Sequence, residues 1–184
     1  LDRDFAAPVI YIKELLDDLD LMRIRQVLQY DNCDSLSIAD ANSYLYSIFD
    51  RHFFQIRKSD DYPALLQEMA QQIEESGYGG EHYAQYVMER ESYMSTIYMN
   101  GVCIPHPIEI CANRNLISVC ILEEPICYED KQASIIFMVS LTKEDYEVHK
   151  DITKKLYQLM NDEKRLQRVL RNRTLEELLI VMKE

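Results

Sequence analysis

One imidazole stands between two prolines in the run Asn100-Gly101-Val102-Cys103-Ile104-Pro105-His106-Pro107, at the end of a short apolar stretch. Upstream, Met88-Glu89-Arg90-Glu91-Ser92 and the Ser95-Thr96 pair place a guanidinium and two hydroxyls sixteen to ten residues before it. These are the groups a phosphoryl-accepting histidine needs. A neutral imidazole is a good nucleophile near neutral pH, because its unperturbed pKa is about 6.5 and one ring nitrogen keeps a free lone pair while the other is held by a hydrogen bond. The prolines restrain the backbone and remove two amide donors, which suits a side chain aimed at an external partner. Arg90 offers a permanently charged planar fork for phosphate oxygens, and Thr96 or Ser95 can donate a hydroxyl to them. Each residue also has a plainer reading: His106 as a structural histidine at a strand end, Arg90 as a cation at a helix C-terminus pairing Glu89 or Glu91, and the hydroxyls as turn caps.

Periodicity supplies the elements that must position these groups. Pro63 fits the first turn of a helix running to about Ser76, with Leu65, Leu66, Met69, Ala70 and Ile73 on one face. Gly77–Gly80 breaks it, and a second helix, about Gly80–Met94, carries Arg90 near its end. Strand-like runs follow at Val102–Ile104, Leu116–Leu122 and Ala133–Leu141, the last continuously apolar over Ile135–Val139, as in a strand covered on both faces. Helices are expected at about Glu144–Met160, Glu163–Arg171 and Thr174–Met182, the last opened by the capping-box pattern Thr174-Leu175-Glu176-Glu177. The result is an α/β chain with a mixed sheet between helices.

The first thirty residues are organised differently. Pro8–Ile12 reads as one buried strand and Leu15–Leu28 as a helix, too little for a core of its own. The polar stretch Tyr30–Ser43 reads as a linker. The 184 residues carry a net charge of −12 with 47% hydrophobic residues, an acidic globular composition that disfavours direct contact with nucleic acid. No basic or apolar leader follows Leu1, and no run approaches the roughly 18 apolar residues of a membrane span. The five cysteines, at positions 33, 103, 111, 120 and 127, lack metal-ligand spacing. They read as reduced thiols, with Cys103, Cys120 and Cys127 in buried strands, and so point to the cytoplasm. His52 and His82 read as packing or surface residues, and no nucleotide-binding glycine loop is present.

Arg90-Glu91, Ser95-Thr96 and Gly101-Val102-Cys103-Ile104-Pro105-His106 together resemble the active-site signature of the mannitol/fructose-type (type 2) enzyme IIA domains of the bacterial sugar phosphotransferase system. Glu74-Glu75-Ser76-Gly77-Tyr78, Leu122-Glu123-Glu124-Pro125-Ile126, His149 through Asp162 and Thr174-Leu175-Glu176-Glu177-Leu178 are similar to further segments of that family, in the same order. The resemblance spans 44–184 and implies a three-layer α/β fold, a mixed central sheet flanked by helices. It implies His106 as the acceptor, phosphorylated by the histidine phosphocarrier protein, with His149 and Arg90 beside it and Thr96 and Ser95 supporting the phosphate. It implies no cofactor and no metal. His149 has its own plainer reading, an exposed helix histidine among Glu147, Lys150 and Asp151. Residues 1–30 are similar to the C-terminal tail of an enzyme IIB-like domain, and 31–43 would be the linker. Pro107 stands where transport-type domains commonly have glycine, which resembles the enzyme IIA-like domains that end transcriptional regulators and antiterminators of sugar genes. Two other uses stay open: a transport domain passing phosphate to an enzyme IIB cysteine, and a binding module that is no longer phosphorylated. A homodimer through a longer protein is also open.

Overall fold

The computed structural model describes residues 43–144 and 146–184. The strand and helix expected within the first thirty residues, the polar linker up to residue 42 and Cys33 lie outside them, while Ser43, read as the linker's last residue, opens a helix. The chain divides after Tyr46, and the unit Ser47–Glu184 is the one that carries the sheet.

Helix α1 (Ser43–Ile48) and a 3-10 turn at Arg51–Phe53 lead into β1 (Phe54–Arg57). Two helices follow, α2 (Tyr62–Glu75) and α3 (Tyr83–Tyr93). Asp61 caps α2, its carboxylate accepting the Ala64 N–H at 2.9 Å, and Pro63 occupies the first turn as expected. His82, in the left-handed region at φ 67°, does not cap α3 with its side chain. Glu74 of α2 takes that task and accepts the Ala84 N–H at 2.8 Å. The remaining elements are β2 (Val102–Cys103), β3 (Leu116–Tyr128), β4 (Lys131–Ser140), α4 (Tyr146–Asn161), α5 (Glu163–Asn172) and α6 (Leu175–Lys183).

The four strands form one mixed sheet in the order β1-β3-β4-β2. β1 runs parallel to β3, β3 antiparallel to β4, and β2 parallel to β4. Leu116, Cys120, Leu122, Ile136 and Met138 turn to one face and join Leu65, Leu66, Met69 and Ile73 of α2 and Tyr83 and Val87 of α3 in one buried cluster. Ile117, Val119, Ile121, Ile135 and Phe137 turn the other way and are equally buried. The buried apolar residues of α4, α5 and α6, among them Ile152, Leu156, Leu166, Val169, Leu178 and Leu179, form the third layer. Burial on both faces is why the centre of the sheet is a continuous apolar run rather than an alternating one.

Three local expectations change. β1 is an added strand: Phe54-Gln55-Ile56-Arg57 is too short and mixed to show a period, and only its pairing with Val119–Leu122 makes it one. β3 runs six residues past its expected end, because a register shift between Ile121 and Ile126 absorbs Glu123-Glu124-Pro125 and pairing with β4 resumes beyond it. Cys127, expected in a buried strand, is exposed, whereas Cys103 and Cys120 are buried. At α6, Thr174 accepts the Glu177 N–H at 3.2 Å as the capping pattern requires, while the Glu177 carboxylate pairs with Arg168 at 2.8 Å.

Candidate functional site

β2 is only two residues long, so the chain that carries His106 is held by what surrounds it. Segment 96–98 folds back on 102–104: Tyr98 N–H donates to Val102 O at 2.8 Å, Ile104 N–H to Thr96 O at 3.0 Å, and Ile97 bridges Cys103. The turn between them uses Asn100 and Gly101 at φ 58° and 75°. Asn100 is a residue that tolerates the left-handed region, and glycine enters it without strain. The Asn100 side chain donates to Met160 O at 2.9 Å, fastening the turn to the end of α4. Beyond β2, Val139 N–H donates to Pro105 O at 2.9 Å and Ile108 N–H to Tyr86 O at 3.1 Å, so the Pro-His-Pro segment is tied to β4 on one side and α3 on the other. Tyr83, buried in α3, reaches the same β4 residue, its hydroxyl donating to Val139 O at 2.8 Å.

His106 is half-buried, with Nδ1 2.9 Å from Ile104 O. A carbonyl oxygen can only accept, so Nδ1 carries the hydrogen, and Nε2 of the neutral ring holds the free lone pair. His149, in the first turn of α4, is held in the opposite sense: its Nε2 lies 2.6 Å from Thr142 O, which leaves Nδ1. Thr142 is in turn fixed by its own N–H donating to the Asn115 side chain at 2.8 Å.

Both imidazoles line one cavity of about 480 Å³ between α4 and the sheet end, forty-three residues apart in sequence and facing the same space. Its walls are mostly apolar, supplied by Ile104, Ile110, Val139, Ile152 and Leu156. Tyr98, Ile110 and Tyr157 stand at it and are exposed. The cavity opens to solvent beside these exposed side chains, so the ring nitrogens stand in a mostly apolar recess with an apolar rim.

The other expected residues are placed differently. Arg90 lies in the last turn of α3, half-buried, and donates Nη1 to Met94 O at 2.9 Å; it is not among the cavity's lining residues. Thr96 is buried, and its hydroxyl donates at 2.5 Å to Glu91, which also accepts the Thr96 N–H at 3.0 and 3.1 Å from its two oxygens. Ser95 Oγ accepts the Ile97 N–H at 3.3 Å, a turn-capping contact. Neither hydroxyl lines the cavity. Glu91, the Ile104 and Thr142 carbonyls and Asn115 are what residue types alone did not point to. The signal for Glu91 was its five-residue spacing from Thr96, the reach of a carboxylate folding back over a helix end. Burial pushes the Cys103 thiol, one strand position from Ile104, up to about 12, so it is a neutral packing group. Among the described residues no three His, Cys, Asp or Glu side chains cluster as metal ligands, and no helix is long and apolar enough to cross a membrane.

The family model described as "Phosphoenolpyruvate-dependent sugar phosphotransferase system, EIIA 2" matches residues 47–184. The "Probable licABCH operon regulator" of Bacillus subtilis is 24% identical over 180 residues, which is 97% of this chain and 26% of that protein. The "Transcriptional regulator ManR" of the same organism is 27% identical over 92 residues, 50% of this chain and 14% of its own length. The chain thus spans about a quarter or less of these relatives. The Escherichia coli complex of mannitol enzyme IIA with phosphorylated enzyme IIB shares the fold with a TM-score of 0.62 at 16% identity, over 74% of this chain and 99% of that one.

Proposed function

The chain belongs to the EIIA 2 family of the phosphoenolpyruvate-dependent sugar phosphotransferase system, and on that premise we propose that it accepts a phosphoryl group on Nε2 of His106 from the histidine phosphocarrier protein. The observation that carries the reading is the Nδ1 contact to Ile104 O at 2.9 Å, which leaves Nε2 as the nucleophile. In the transfer, the Nε2 lone pair attacks the phosphorus of the carrier's phosphohistidine in line. The carrier's N–P bond breaks, its electron pair returns to the carrier imidazole, and an N–P bond forms at Nε2. No proton has to move, because Nδ1–H stays on Ile104 O and that bond strengthens as the ring becomes cationic. His149 in its imidazolium form donates from Nδ1 to a phosphoryl oxygen, and Arg90 would join it by swinging its guanidinium from Met94 O toward the cavity. The placement of Thr96 and Ser95 supports a structural part for both hydroxyls rather than direct phosphate contact. Docking uses the apolar rim at Tyr98, Ile110 and Tyr157, and the acidic chain complements a basic carrier surface.

The site acts as a regulatory input: phosphorylation changes how the domain associates and so controls the modules attached to it in a longer cytoplasmic protein. The two regulators among the relatives support this use, as does Pro107, which deletes an amide donor beside the acceptor. Residues 1–30 would then be the end of an enzyme IIB-like domain. The test is phosphate incorporation from phosphoenolpyruvate with enzyme I and the carrier, read by intact mass on wild type and His106→Ala. One phosphoryl group, absent from His106→Ala, is the expected result; none on folded wild type with charged carrier overturns it. Label that leaves for the cysteine of an added mannitol-type enzyme IIB would move the role to transport.

A further inference from the structure

We propose that Glu91 is the positioning residue of the acceptor, setting through Thr96 and Ile104 which nitrogen of His106 is the nucleophile. Three consecutive links connect them. Both Glu91 oxygens accept from Thr96, at 3.0 and 3.1 Å from its N–H and at 2.5 Å from its hydroxyl. Thr96 O accepts the Ile104 N–H at 3.0 Å. Ile104 O then takes the Nδ1 hydrogen of His106 at 2.9 Å. The N–H and C=O of Thr96, like those of Ile104, lie in successive peptide planes joined by one φ/ψ pair, and the pairing of 96–98 with 102–104 holds those dihedrals, so anchoring Thr96 bears on how the Ile104 carbonyl is aimed.

Glu91 is only 7% exposed. A carboxylate taken from water is expensive unless it is well bonded, and among the described residues this one forms no ion pair. Its hydrogen bonds converge on Thr96, whose carbonyl holds the strand bearing the acceptor. An apolar residue there would leave the buried Thr96 N–H and hydroxyl without this acceptor, so the carboxylate is matched to the segment it holds. The assignment also accounts for the buried Thr96 hydroxyl, which is committed to Glu91 rather than to a ligand.

The test reads the ring itself, by 15N-detected NMR of the histidines on the 184-residue chain at a pH where His106 is neutral, with His106→Ala for assignment. Wild type, Glu91→Gln and Thr96→Val should all show Nδ1 as the protonated nitrogen: glutamine keeps one acceptor for the Thr96 N–H, and valine leaves the Thr96 peptide in place. Glu91→Ala should show averaged ring nitrogens, the mark of mixed tautomers. It should also accept phosphate about tenfold more slowly at saturating charged carrier with KM unchanged. If Glu91→Ala does not fold, Glu91→Met removes the acceptor while keeping the volume. Folded Glu91→Ala or Glu91→Met with the wild-type ring pattern overturns the proposal, as does loss of the pattern in Glu91→Gln or Thr96→Val. The kinetic arm rests on His106 being the acceptor; the ring pattern does not, so a wild type that takes no phosphate sinks that function while still testing Glu91.

Discussion

Gly101→Ala should destabilise the unit 47–184 by several kcal/mol, and the amount can be built from two separable parts. The first is conformational: Gly101 sits at φ 75°, where a Cβ costs about 1–2 kcal/mol. The second is steric: an added Cβ would lie 2.6 Å from Ser134 Oγ, 3.1 Å from Ser134 Cβ and 3.2 Å from Gln132 O. The hydroxyl can swing away, but the Ser134 Cβ and the Gln132 backbone belong to β4 and cannot, which adds about 1–3 kcal/mol of overpacking. The sum, about 2–5 kcal/mol, is read by urea unfolding followed by circular dichroism. The same turn sets the register of Val102 on Ile135, so the variant should also broaden the His106 ring signals. Ser134→Gly in the Gly101→Ala background separates the parts: it should recover the steric share owed to the serine and leave the φ cost in place. A loss under about 0.5 kcal/mol, within the range of ordinary surface changes, would refute the argument. Complete rescue by Ser134→Gly would refute its conformational half.

Four further outcomes are expected. Asp61→Ala should cost about 1 kcal/mol in the same unfolding assay by freeing the Ala64 N–H, and Asp61→Asn should recover most of it. A maleimide should label Cys127 quickly and spare Cys103 and Cys120 in the native protein, as peptide mapping by mass would show. With Cys103 and Cys120 raised by burial from 9.0 to about 12 and about 11, the unfolded chain loses protons that the folded chain keeps, so stability is full below about pH 9 and falls toward pH 12. Cys103→Ala should flatten that fall in alkaline unfolding curves. His149→Ala should slow single-turnover phosphorylation by about tenfold or more while leaving the His106 ring pattern intact; an unchanged rate would remove His149 from the chemistry.

The parts of this protein that sequence makes visible are those in which one residue type suffices. His106 between prolines and the apolar face of α2 announce themselves, and His149 stands out through the order of segments around it. What stays hidden is made by backbone atoms or by pairing at a distance. No residue type at 104 or 142 reveals that its carbonyl selects a ring nitrogen, because every residue has a carbonyl. The Thr96 hydroxyl was open to two readings until Glu91 was found buried five residues before it. The strand at Phe54–Arg57 exists only because β3 is there to pair with, and Glu123-Glu124-Pro125 looks like a turn although pairing with β4 resumes past it.

The hold of Asn100 on Met160 has a consequence for α4 itself. His149 occupies the first turn of that helix and Met160 the last, about 17 Å apart at 1.5 Å per residue, and both ends are held beside the His106 cavity, one by the imidazole on Thr142 O and one by the turn ahead of β2. The helix is therefore a strut of fixed length and fixed phase. Inserting one residue in its middle would lengthen it by about 1.5 Å and rotate one end by about 100° relative to the other, so the two anchors could not be satisfied together. Length variation in this part of the chain is thereby confined to the connections outside α4.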